Sequence, residues 1–145
     1  MRNTIAKVGL ALAAASMIAV PAAEARTKKT PQEELAKALK GRVAGKPVNC
    51  IWMPTVDSTQ IIDKTAIIYK AGSTWYVNFP KTGADSLDDD DILVTKLYTS
   101  NLCSIDTVQL HDRTSGMWSG FVGLGPFIPY TKPKDGQKDA GESGK

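Results

Sequence analysis

Beyond residue 47 the apolar positions fall into short runs with the two-residue period of half-buried β-strands, separated by Gly, Pro, Asn and Asp. The clearest stretch is TAIIYKAGSTWYVNF, residues 65–79, where two runs rich in β-branched and aromatic residues flank Ala71-Gly72-Ser73 and predict a β-hairpin. In its second run Trp75, Val77 and Phe79 alternate with Thr74, Tyr76 and Asn78, which predicts one core face. A lone hairpin is marginal in water, so neighbouring runs must add strands. Candidates are 48–52, 59–62, 92–98, 105–110 and a Gly-rich, bulged or bent segment over 118–127. Six to seven short strands with closely spaced turns predict a mainly β chain, a small antiparallel barrel or sandwich.

A helical signal precedes them. Thr30-Pro31-Gln32-Glu33 has the form of a capping box with proline at the first helical position, Leu35 and Leu39 share a face, and Gly41 stands where a left-handed residue ends a helix. A helix this short is unstable alone and must dock on the sheet or fray. Residues 41–47, basic and marked by Gly and Pro, read as a linker. The expected organisation is a signal peptide over 1–25, a basic segment with a short helix over 26–47, a β-domain over 48–131, and a disordered tail over 132–145, where no bulky apolar residue occurs.

The first segment sets the compartment. Arg2 and Lys7 precede an apolar run, Pro21 breaks it, and Ala23-Glu24-Ala25 forms a small-x-small cleavage site, so the chain is expected to be periplasmic or secreted. The run falls short of the roughly 20 residues of a membrane span, and no cysteine at the cleavage point offers a lipid anchor. Two cysteines, Cys50 and Cys103, then read as a structural disulfide in an oxidising compartment. They lack the close spacing of a redox pair, and with the single His111 they offer too few ligands for zinc.

Charge is unevenly spread: residues 26–47 carry a net +5, 48–112 a net −5 and 113–145 a net +2. Basic ends attract polyanions, but no aromatic residue is interleaved with those lysines, and nucleic acid is not an expected partner. No cofactor motif and no catalytic signature is present, so the chain reads as a non-enzyme. His111-Asp112 with Ser104, Ser115 and Asp106 nominally supplies a nucleophile, base and acid, yet neighbouring strand residues point to opposite faces and no nucleophile elbow occurs. Asp106 reads instead as a turn cap that accepts from backbone amides.

Two constellations could act by binding. Asp85, Asp88, Asp89, Asp90 and Asp91 offer hard oxygen ligands suited to calcium, although adjacent aspartates cannot all converge on one ion; the plainer reading is a charged turn guarding a sheet edge. Among the aromatic residues Trp52, Trp75, Tyr76, Trp118, Phe121, Phe127 and Tyr130, most must fill a core, while Trp118 and Phe121 in the Gly-rich segment could line a groove or partner surface. These features frame three readings: an envelope β-domain binding a partner or ligand, a small inhibitor of a secreted cationic enzyme such as a lysozyme or protease, and a weak calcium-binding envelope protein.

Asn49-Cys50-Ile51, Ile62-Asp63-Lys64-Thr65, Tyr76-Val77-Asn78, Leu102-Cys103-Ser104-Ile105-Asp106 and the closing Leu124-Gly125-Pro126-Phe127-Ile128-Pro129-Tyr130 resemble an uncharacterised family of small exported proteobacterial proteins, a domain of unknown function. In that pattern two further cysteines stand where this chain has Ala84 and Val122, which implies that Cys50 and Cys103 pair with each other. The resemblance implies export and a β fold and assigns no activity.

Overall fold

The computed structural model describes residues 29–133; the sequence readings for 1–25 and for all but the first two residues of 132–145 lie outside them. Helix α1 spans Pro31–Ala38, and ten strands follow: β1 (Val43–Ala44), β2 (Cys50–Trp52), β3 (Ser58–Ile62), β4 (Ala66–Ala71), β5 (Thr74–Asn78), β6 (Asp91–Thr95), β7 (Asn101–Cys103), β8 (Thr107–Asp112), β9 (Trp118–Gly123) and β10 (Phe127–Thr131). All pairings are antiparallel, in sheets ordered β1-β10-β5-β4-β3, β6-β8-β9 and β2-β7. The arrangement is sandwich-like, and among the described residues no barrel closes.

The five-stranded sheet is a middle layer. Ile61, Ile67, Tyr69 and Phe127 face inward to a main core completed by Ile51, Leu102, Val108, Leu110 and Val122 from the smaller sheets, with Leu87 and Leu124 between. Their strand neighbours Ile62, Ala66, Ile68 and Val77 point the other way, into a second cluster closed by Leu35, Ala38 and Leu39 of α1. Where one core face is predicted for 74–79, both faces are therefore covered, and Phe79 lies past the strand and exposed. The helix docks as its Leu35 and Leu39 spacing suggests, and its capping box is formed: the Glu33 amide donates to Thr30 Oγ1 and the Thr30 amide to Glu33 Oε2.

Four boundaries differ from the sequence reading, the first being that the 92–98 run is strand only over Asp91–Thr95, with Lys96, Leu97 and Tyr98 beyond it. Residues 41–47 are no free linker: β1 pairs with β10, and Arg42 stacks its guanidinium 3.7 Å from the Trp75 ring centre while donating to the Ser73 carbonyl at 2.7 Å. The 118–127 run splits into β9 and β10, which belong to different sheets. Residues 101–103 form β7 before a turn in which Ile105 is exposed and Asp106 Oδ2 accepts the Cys103 amide at 2.7 Å, the capping role read for that aspartate.

The hairpin loops follow from conformation. In the two-residue β4–β5 loop Gly72 adopts φ 53°, and in the three-residue β3–β4 loop Lys64 adopts φ 52°, so each loop has a residue in the left-handed region. Gly83, at φ 75°, has no room for a side chain because a Cβ there would collide with the Phe121 carbonyl.

Candidate binding face

The outer face of β6, β8 and β9 is built by strand alternation. Val108, Leu110 and Val122 turn inward, so their neighbours turn out. Register then aligns two cross-sheet rows, Ile92–His111–Trp118 and Val94–Gln109–Phe121. A bulge between Leu110 and His111 keeps Trp118 opposite His111. Ile92, Val94, Trp118 and Phe121 are 42%, 43%, 60% and 53% exposed. Four large apolar side chains thus stand on one sheet face on either side of a His and a Gln, an arrangement of the kind that marks interaction surfaces. No element covers it among the described residues, whereas α1 covers the far side of the five-stranded sheet.

Of this face the sequence singled out Trp118 and Phe121 and missed Ile92, Val94 and His111. The missing signal was the register: β-period places Ile92 and Val94 together, but only pairing through β8 sets them beside the aromatics. Trp52 is also exposed, whereas Phe127 is core and Trp75 is partly buried beneath Arg42 and Lys70.

The nominal acid–base group does not assemble. Asp112 Oδ1 accepts from the Ser115 amide at 2.6 Å and from its hydroxyl at 2.7 Å, which closes the β8–β9 turn, while His111 Nδ1 lies 3.4 Å from the Gly116 carbonyl. Those two Ser115 bonds hold the Asp112 carboxyl below its ordinary value.

The acidic turn divides among different tasks. Leu87 anchors it in the core, Asp88 Oδ1 accepts the Asp90 amide at 3.0 Å, and Asp63 Oδ1 accepts the Asp89 amide at 2.7 Å. Carboxylates of Asp63, Asp88 and Asp89 come within 4.8 Å of one another, so Asp63, from the β3–β4 loop, joins a group the sequence confined to 85–91. Asp90 pairs with Arg113 at 3.3 Å. Asp91 is 6% exposed and its Oδ1 accepts from Ser119 at 3.0 Å, while Asp85 lies outside the three-carboxylate group.

Cys50 and Cys103 are bonded, directly opposite each other across β2 and β7 with Cα atoms 4.0 Å apart. Such a bond suits an oxidising compartment. Among the described residues no helix is long and apolar enough to cross a membrane.

The fold and face thus define a disulfide-bonded, sandwich-like antiparallel β structure with four apolar side chains exposed on one outer face. Comparison with protein-family models, with curated proteins and with solved structures finds no match.

Proposed function

We propose that this chain is an exported, non-catalytic β-domain that binds a partner or ligand in the periplasm or outside the cell, through the outer face of β6, β8 and β9. The observation that carries this reading is the pair of rows Ile92–His111–Trp118 and Val94–Gln109–Phe121 on one sheet face, with Ile92, Val94, Gln109, Trp118 and Phe121 exposed and His111 half-buried. Aromatic side chains held on a rigid sheet give much contact area at little entropic cost. The disulfide and the leader-like first 25 residues support export, in keeping with the family resemblance. The test is capture from an envelope extract by the mature chain and by a Trp118→Ser/Phe121→Ser variant. Both positions are exposed, so the variant is expected to keep the circular dichroism and melting temperature of the parent while losing at least tenfold in captured partner. Equal capture by both would reject this face.

A second reading, a small inhibitor of a secreted cationic enzyme, is favoured by the exposure of Asp85, Asp88, Asp89 and Asp90 on one turn. It requires salt-dependent inhibition of a cationic lysozyme or protease that Asp88→Ala/Asp89→Ala removes; no inhibition at stoichiometric protein would exclude it.

A further inference from the structure

β6 ends its sheet. Its hydrogen-bonded neighbour is β8, and among the described residues no strand lies on its other side. A strand in this position offers backbone N–H and C=O groups to another chain, here apart from the Asp91 amide, which donates to the Asp88 carbonyl at 3.1 Å. The opposite edge of this sheet is partly engaged, since β9 forms a bridge between Gly123 and Thr82.

The residues along β6 are complementary to themselves. We propose that β6 pairs antiparallel with β6 of a second copy, about a two-fold axis at Leu93. In that register Ile92 stands opposite the partner's Val94 and Asp91 opposite the partner's Thr95, and just beyond the strand ends Asp90 comes beside the partner's Lys96, each contact occurring twice. Moving the axis to Ile92 sets Leu93 against Asp91 and Val94 against Asp90. Moving it to Val94 sets Ile92 against Lys96 and Asp91 against Leu97. Both shifts place charged side chains against apolar ones, so the pattern of charge selects the Leu93 register. The acidic run that blunts this edge toward other strands thereby admits its own copy.

Directly opposed residues share a face, so Ile92 and Val94 of both copies come together on the outer surface and the three-stranded sheet continues across the axis. Asp90 and Lys96 are both exposed, and Asp90 lies 3.3 Å from Arg113; the partner's Lys96 extends that exposed pair into a network without disturbing the core. Two five-residue strands make a small contact of the transient class, below about 1,200 Å². The pairing uses the strand edge, and the proposed function uses the sheet face, so each can fail alone.

Sedimentation velocity on the exported chain from about 5 µM to about 1 mM reads the equilibrium, a span suited to weak contacts. The expected result is a sedimentation coefficient rising toward that of a dimer. Lys96→Asp sets like charges opposite each other and is expected to weaken dimerisation by about tenfold or more. The swap Asp90→Lys/Lys96→Asp restores opposite charges and is expected to return the dimer to within about threefold of the parent. Matching melting curves show that each variant is folded. A chain monomeric at every concentration, which leaves the edge to a strand of another protein, overturns the proposal. So does a dimer that Lys96→Asp does not weaken, or a loss that the swap does not recover.

Discussion

Tyr69 shows what one buried group does to the whole balance. Its ring meets Phe127 edge-on at 5.7 Å between centres, and its hydroxyl, buried in the main core, has no hydrogen-bond partner among the described residues. Burial pushes the phenol well above its ordinary value, because the charged form loses water and gains nothing in return. Tyr69→Phe keeps the ring and removes the orphan hydroxyl, so urea denaturation at neutral pH is expected to show a gain of about 1 kcal/mol. The pH dependence has a definite sign. With a raised folded-state pKa, the neutral phenol's contribution is full below the unfolded value of about 10 and is lost as pH rises beyond it. The stability difference between Tyr69→Phe and the parent should therefore widen between pH 9 and about pH 11. A constant difference would mean that Tyr69 ionises as readily in the fold as in the unfolded chain. Asp112 has the opposite sign: its lowered carboxyl supports the β8–β9 turn above the ordinary carboxylate range and releases it as acid is added.

At the scale of elements, α1 and the β4–β5 hairpin were legible because their signals are local. The capping box, the Leu35–Leu39 pair and the Gly72 loop each lie within a few residues. β1 was not legible. Its two residues carry no periodicity, and what holds them is distant: Val43 and Ala44 pair with Thr131 and Tyr130, the Gly45 amide donates to the Pro129 carbonyl at 2.7 Å, and Arg42 clamps over Trp75. The binding face was half legible for the same reason, since two of its aromatics stood in a conspicuous Gly-rich run and its aliphatic half depended on register. Arg42 tests the point. Its planar cation stacks on Trp75 and its Nη1 reaches Ser73, so Arg42→Ala is expected to cost about 1–2 kcal/mol and to open β1. Arg42→Lys should recover only part, because an ammonium cannot both stack flat and reach the carbonyl. Hydrogen exchange at Val43 reads the local opening, and a loss below about 0.3 kcal/mol would make the clamp ornamental.

The whole molecule depends on how its smallest sheet is kept. β2 and β7 pair over three residues each, too little to persist alone, yet they carry Ile51 and Leu102 into the main core. Two forces hold them there: burial of those two side chains, and the bond between Cys50 and Cys103, which closes a sequence separation of 53 residues. In the chain-entropy view a crosslink over that span restricts the unfolded state by about 4 kcal/mol, a large share of the roughly 5–15 kcal/mol typical of a domain. Cys50→Ala/Cys103→Ala is therefore expected to lower stability by about 3–4 kcal/mol in urea denaturation while leaving the near-ultraviolet spectrum of the folded state unchanged. Because Cys50 is exposed, mild reductant should reproduce the loss in the parent chain. The two forces separate in hydrogen exchange. If the bond acts through the unfolded state, protection at Ile51 and Leu102 should fall by the same amount as at core strands such as β4. If those two sites open while β4 keeps its protection, the bond is instead what pins β2 to β7 in the native sandwich.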